Sequence, residues 1–407
     1  MPDTPSDKPT PSALRDAIEV GAVFLKLGSI GFGGPAALTA LIEEETVRRR
    51  QWVSRERFLD LVGATNLIPG PNAVEMAIHI GLLRAGWPGF ALAGLGFIMP
   101  ATVICLALAW AYVRFGSLPD VEGLLAGIKP AILAIIAGSL FRLAGAALSS
   151  VPLAAIAGLV AAMAAAGINE VTAMFGGALA GMVFIRYRAR RTPNEIDRTP
   201  PPAVLGPPAL ARPSAGSLMT AAGGIGGAGV VAAVPLWQIG LFFLKVGAVL
   251  YGTGYVLLAF LQGGLVEQRG WLSQGHLLDA IAVGQFTPGP LLSTVTFVGY
   301  LLAGAPGALV ATVAVFTPSF IFVPILHRLL PRLRRSAWPA AFLDAVNASA
   351  IALMAVVAVK LAAQTLVSWP AWVIAIAALI ASVRLRVNPS LLVVAGAVVG
   401  WLLQRWG

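Results

Sequence analysis

The chain alternates between long apolar stretches and short polar turns rich in arginine. Uninterrupted apolar runs over 17–42, 87–114, 121–147, 151–166 and 171–186 predict five membrane helices. Residues 55–84 are also mostly apolar, but Ile68-Pro69-Gly70-Pro71 cuts them in the middle. Each arm has about 13 residues, too few to cross a hydrocarbon core of about 30 Å at about 1.5 Å per residue. Two short arms around a break predict a re-entrant helical hairpin. Such irregular backbone is tolerated at membrane depth only where it is buried in protein or lines a wet cavity.

The same pattern then repeats. At a spacing of 219 residues, Phe24-Leu25-Lys26 matches Phe243-Leu244-Lys245, Trp52 and Ser54 match Trp271 and Ser273, and Leu59-Asp60 matches Leu278-Asp279. Pro69-Gly70-Pro71 matches Pro288-Gly289-Pro290. After a gap of one residue, Pro88-Gly89 matches Pro306-Gly307 and Pro100 matches Pro318. Late in each half, Asn169, Gly177 and Gly181 match Asn388, Gly396 and Gly400. This register divides the chain into a polar tail (1–16), a first repeat (17–186), a linker (187–230) rich in Arg, Pro and Gly, and a second repeat (231–407). The expected fold is therefore all-α: a polytopic membrane protein of two homologous halves, each of about five transmembrane helices plus a Pro-Gly-Pro hairpin.

Composition changes this picture little and charge sharpens it. Charged residues are 11% of the chain and hydrophobic ones 58%, against about 25% charged in soluble domains. The net charge of +10 resides in loops, which argues against nucleic-acid binding. With five spans and one hairpin per half, 19 arginines fall on one side of the membrane and 6 lysines and arginines on the other. The positive-inside rule then makes the linker cytoplasmic and both termini periplasmic, in a bacterial inner membrane. An odd span count inverts the second half relative to the first, as in many secondary transporters. The lone cysteine, Cys105, reads as a packing residue.

Four sets of residues carry candidate chemistry. Each Pro-Gly-Pro break would start a half-helix near mid-membrane, with Pro71 and Pro290 in the first turn. The free N–H groups there, with Asn72, Ser293 and Thr294 as added donors, would form an anion site; a structural kink is the alternative, and repetition in both halves favours function. The segment Gly28 to Pro35, with Gly31, Gly33 and Gly34, and its counterpart around Gly252 would offer unwound backbone or close packing. Lys26 and Lys245, at equivalent intramembrane positions, would attract a dianion or snorkel to an interface; Lys129 is a third cation. Glu75 would carry a coupling proton or pair with a cation, whereas Asp60 and Asp279 suit caps or ion pairs equally well. His79, His276 and His327 show no metal-ligand spacing, and no nucleotide-binding, cofactor-binding or catalytic pattern is present.

Phe24-Leu25-Lys26-Leu27-Gly28, Gly31-Phe32-Gly33-Gly34-Pro35, Trp52 with Phe58, and Asn66-Leu67-Ile68-Pro69-Gly70-Pro71 together resemble the chromate ion transporter family, long-chain two-domain type. In the second half the resemblance rests on Phe243 to Gly247, Tyr251-Gly252, and Gln285-Phe286-Thr287-Pro288-Gly289-Pro290. It implies export of chromate from the cytoplasm, chromate resistance, and sulfate as the related oxyanion, with Asn66 and Gln285 near the site. Transport of sulfate or another anion, and an anion channel, remain open at this point; a homodimer is compatible with the sequence. The second half departs from the first at Leu250, Thr253 and Gly254, so the two halves are not chemically equivalent.

Overall fold

A computed structural model describes residues 11–32, 34–116, 118–191, 234–252, 254–333, 337–385 and 387–406. Its described residues are helical or in turns, with no strand. The first half contains α1 (Pro11–Ile30), α2 (Gly34–Glu43) continued by a π-helical turn (Glu44–Arg49), α3 (Arg55–Thr65), α4 (Asn72–Phe115), α5 (Pro119–Ala147), α6 (Val151–Ala165) and α7 (Glu170–Arg191). The second half repeats the order as α8 (Leu236–Val249), α9 (Leu257–Leu261) with a flanking π-helical turn (Gln262–Glu267), α10 (Gln274–Phe286), α11 (Thr294–Leu333), α12 (Ala337–Thr365), α13 (Trp369–Val383) and α14 (Pro389–Trp406).

The Pro-Gly-Pro hairpin forms as the sequence predicts. Ser54 caps α3 by accepting from the Arg57 N–H (3.2 Å), Pro69–Pro71 makes the turn, and α4 returns to a sharp bend at Ala85-Gly86. Gly86 adopts φ 59°, and Gly304 in α11 repeats it at φ 63°, a conformation glycine adopts at little cost. A Cβ on Gly81 or Gly299 would strike the carbonyl of Gly89 or Gly307, so small residues let the arms beside each bend touch.

The first apolar stretch differs from expectation. Residues 17–42 do not run straight across; the helix stops at Ile30 and resumes at Gly34. The returning arm lies back along α1, tied by Lys26–Glu45 (3.5 Å) and by an ion pair between Arg50 and Glu19. Glycine-rich backbone around a central Phe32 breaks the helix more readily than a hydropathy window reveals. Each half thus holds two hairpins side by side. Their open ends meet where Arg84 reaches Asp16 (3.2 Å) and stacks with Arg50 on Trp52.

The two halves run in opposite senses. Tyr112, near the far end of α4, donates to Asp279 near the start of α10 (2.8 Å). His79, in the first arm of α4, meets His327 near the end of α11 (2.9 Å). The open ends of one half's hairpins therefore lie level with the far helix ends of the other. Because α1 and α2 double back, α1 starts on the arginine-rich face that holds Arg50 and Arg84, whereas α14 ends on the opposite face, where Gln404 abuts Gly123. Residues 1–10 and 407 lie outside the described residues. Most of the 187–230 linker lies outside the described residues. The helices flanking it end and begin on opposite faces: Arg186 stacks on Trp338 at the start of α12, while Phe242 in α8 packs with Arg269. The apolar core is continuous through both halves, and among the described residues α4, α5, α11 and α12 are long and apolar enough to cross a membrane.

Candidate functional site

Two reciprocal backbone hydrogen bonds join the hairpin tips. The Gly289 N–H donates to the Gly31 carbonyl (2.8 Å), and the Gly70 N–H donates to the Leu250 carbonyl (2.8 Å). Gly31 and Leu250 are equivalent in the repeat, as are Gly70 and Gly289. Each glycine-rich tip is thus stitched to the Pro-Gly-Pro break of the other half. Both donors require positive φ, 142° at Gly70 and 98° at Gly289.

Beside this crossing lies a cavity of about 110 Å³, room for several waters or one small polyatomic ion. Pro71, Asn72 and Ala73 line it from the start of α4, and Pro290, Leu291 and Leu292 line it from the equivalent break. Pro71 occupies the N-cap, one position earlier than the sequence suggested, so Asn72 and Ala73 are the first helical residues. The first N–H groups of a helix lack intrahelical acceptors, and here both helix starts aim at one space. Gly31, Gly252, Thr287 and Gly289 complete the crossing side, and Gln285 and Ser390 the flank. The Gln285 Nε2 donor is buried without a partner among the described residues, while the Gln285 backbone carbonyl accepts from Ser390 Oγ (3.0 Å). A dehydrated anion is the natural complement to such donors, because unsatisfied buried donors are costly. A second cavity of about 220 Å³ on the opposite face carries Glu170 and Glu267 beside Lys360. Its two carboxylates make it a poor match for a dianion.

The remaining candidates fall into three places. Asn66 is bonded to Asn72, and Pro69, Gly70, Pro288 and Ser293 lie in the two breaks, with Ser293 buried and its Oγ without a partner. Lys26 does not line the cavity: its side chain is 51% exposed and pairs with Glu45. Burial would raise the Glu45 carboxyl, but the Arg50 hydrogen bond and the charges of Lys26 and Arg50 outweigh it and hold the group below its usual value. Lys245 is exposed on α8 and Lys129 pairs with Asp279 (3.5 Å), again away from the cavity. Among the described residues, then, no lysine or arginine touches the space between the helix starts. Glu75 is fully buried directly behind Gly70, where a Cβ would collide with its Oε1. Asp60 sits half-buried on α3. Gly33 is outside the described residues, and Gly34 opens α2.

Sequence reasoning missed Ser390 and the His79–His327 pair. Ser390 follows Asn388, a position visible in the repeat, but nothing local places it beside Gln285. The two histidines are 248 residues apart, and only the inverted packing of α4 on α11 brings them together.

Comparison with known proteins agrees with this architecture. The family model described as chromate transporter matches twice, over residues 18–182 and 237–401. The chain is 32% identical to the chromate transport protein of Cupriavidus metallidurans, covering 92% of this chain and 90% of that one. It is 32% identical to the probable chromate transport protein of Synechococcus elongatus (93% of each) and 30% identical to the chromate transport protein of Pseudomonas aeruginosa (94% of this chain, 91% of that one). No solved structure matches. With both halves matched by the family model and full-length relatives above 30% identity, this multi-pass membrane protein belongs to the chromate transporter family, whose members are transporters rather than enzymes.

Proposed function

We propose that the protein is a secondary transporter that carries chromate out of the cytoplasm by alternating access. The observation that supports this most is the convergence of two oppositely inserted helix starts, with the unpaired Gln285 donor, on one cavity. The names of the relatives point to the same oxyanion. The donors are backbone and amide groups, so recognition rests on hydrogen bonding to a tetrahedral dianion rather than on a lysine charge trap. Sulfate shares that geometry and charge, and is the competing substrate. The arginine-rich face is cytoplasmic in this reading, and the membrane potential drives efflux at about 2.3 kcal/mol per charge per 100 mV. Reconstituted vesicles test it. Labelled chromate should move in response to an imposed potential, saturate, and be competed by sulfate. Non-saturating flux at channel rates, or no chromate flux, overturns the reading.

A further inference from the structure

One buried group beside the cavity has no place in anion binding. Glu75 lies one helical turn beyond the lining residues Asn72 and Ala73. It is completely buried in an apolar shell. Its Oε1 accepts from Ser319 Oγ (3.3 Å), a neutral donor on α11. Among the described residues its Oε2 has no partner. Tyr251, at the tip of the second half's first hairpin, lies within electrostatic range.

His79 follows one turn later on the same face of α4, since residues four apart are helix neighbours at about 5–6 Å between Cβ atoms. His79 is also fully buried, and its Nδ1 is likewise without a partner. Its Nε2 is 2.9 Å from His327 Nδ1. Arg57 of α3 is the charged group facing His79. His327 is only half-buried and belongs to the end of α11 that reaches the arginine-rich face. Titratable groups therefore succeed one another from that face to the back of the Gly70 break, with one gap, between His79 and Glu75, that no hydrogen bond closes. The symmetry-related path is absent: Thr294 and Val298 stand where Glu75 and His79 stand in the first half, and Ala109 where His327 stands in the second.

We propose that His327, His79 and Glu75 form a proton relay, and that one proton binds to Glu75 whenever the oxyanion occupies the cavity. This rests on the anion-transport reading above. Water on the arginine-rich face protonates His327 at Nε2. The Nδ1 proton of His327 passes to His79 Nε2; His79 Nδ1 and Glu75 Oε2 are not hydrogen-bonded to each other, so the Nδ1 proton of His79 reaches Glu75 Oε2 through a water that enters between them. Both imidazoles end neutral as the other tautomer, and the carboxylate ends as a carboxylic acid. A dianion beside a buried carboxylate is repelled, and protonation removes that repulsion. By linkage, anion binding takes up the proton and protonation tightens the anion. When the cavity opens to the opposite face, the anion leaves and Glu75 gives up its proton there through the vacated cavity, so the species carried bears one net negative charge instead of two.

The number of charges moved is directly measurable. In vesicles holding the full-length protein, the equilibrium chromate ratio under an imposed potassium diffusion potential should change about 50-fold per 100 mV for one net charge, against about 2,000-fold for two. A pH gradient of one unit should shift the same ratio about tenfold. Glu75→Gln should restore the two-charge slope and abolish the pH response. His79→Gln and His327→Gln should leave the equilibrium ratio unchanged but slow pH-driven flux, with chromate–chromate exchange retained. Sulfate, fully ionised throughout this pH range, should give the same slopes. A wild-type two-charge slope with no pH response overturns the relay and leaves the transport reading intact. So does wild-type pH-driven flux in both histidine variants, which keeps the test decisive if Glu75→Gln fails to fold. Absence of chromate flux in the wild type overturns the transport reading and the relay with it.

Discussion

The two Pro-Gly-Pro breaks share one backbone and differ in what stands behind them. Gly70 and Gly289 both take positive φ, and both donate to the tip of the other half's glycine-rich hairpin at 2.8 Å. Behind Gly70 are the Glu75 carboxyl and the Ser319 hydroxyl. Behind Gly289 are the Ala101 methyl and the Gly28 carbonyl. The position equivalent to Glu75 is Thr294, whose hydroxyl donates to its own helix at Leu291 (2.7 Å). Duplication has kept the scaffold, which needs both copies to close the cavity, and has let the chemistry diverge. The second half's buried acid, Asp279, is held by Tyr112 and Lys129 as a structural cluster.

Substitution at the two glycines tests this comparison most strongly. Alanine at Gly70 pays for the unusual φ, about 1–3 kcal/mol, and also drives its Cβ into Glu75 and to 2.6 Å from Ser319 Oγ. Gly289→Ala pays the conformational cost but meets Ala101 and Gly28 only at 3.1 Å. Chromate flux at equal membrane expression should be lost in Gly70→Ala and reduced in Gly289→Ala. Equal loss in both would mean that the side chains behind the breaks do not matter.

The next effect separates Gln285 from its counterpart Asn66. Gln285 Nε2 is unpartnered at the cavity, whereas Asn66 is bonded to Asn72. A hydrogen bond to a charged group contributes about 1.5–3 kcal/mol. Gln285→Leu should therefore raise the half-saturating chromate concentration by about 10- to 100-fold, and Asn66→Leu by much less. An equal rise in both would place Asn66 against the anion too.

Smaller still is the loss at the second half's acid cluster. Tyr112→Phe removes the hydroxyl that donates to buried Asp279. It should lower thermal stability by about 1–3 kcal/mol, with chromate affinity unchanged. A change in affinity without a change in stability would move Asp279 from the scaffold to the site. The smallest effect belongs to Lys26→Ala. Its pairing with Glu45 is half-exposed, and such pairs contribute about 0–1 kcal/mol. Chromate affinity should stay within about threefold of wild type.

The large architecture was legible in the sequence for a physical reason. A chain in lipid must satisfy its backbone within helices, so a Pro-Gly-Pro interruption repeated at fixed spacing can only be a shared structural device. The second arm of the hairpin and the bend near residue 86 follow from the same logic. What the sequence obscured was the doubling back at Gly31. Hydropathy over 17–42 is continuous because the returning arm buries its own apolar side chains, Leu38 and Ile42, in the core, so nothing in that pattern marks the turn. That turn changes the crossing count, and with it the face on which α1 starts. The lysines misled for a related reason. An intramembrane cation usually faces a cavity, but the returning arm supplies Lys26 with a carboxylate. Glu75 was recognisable as a lone acid in an apolar run, whereas its histidine neighbours depend on packing between the halves.

The central claim is that one oxyanion is held between the two helix starts, and its position can be observed. In crystals of the protein grown with chromate, anomalous scattering from chromium should give a peak within hydrogen-bonding reach of the Ala73 and Leu292 backbone N–H groups and of Gln285 Nε2. A peak beside Lys26 or Lys245, or one bound to a single half of the molecule, would contradict it.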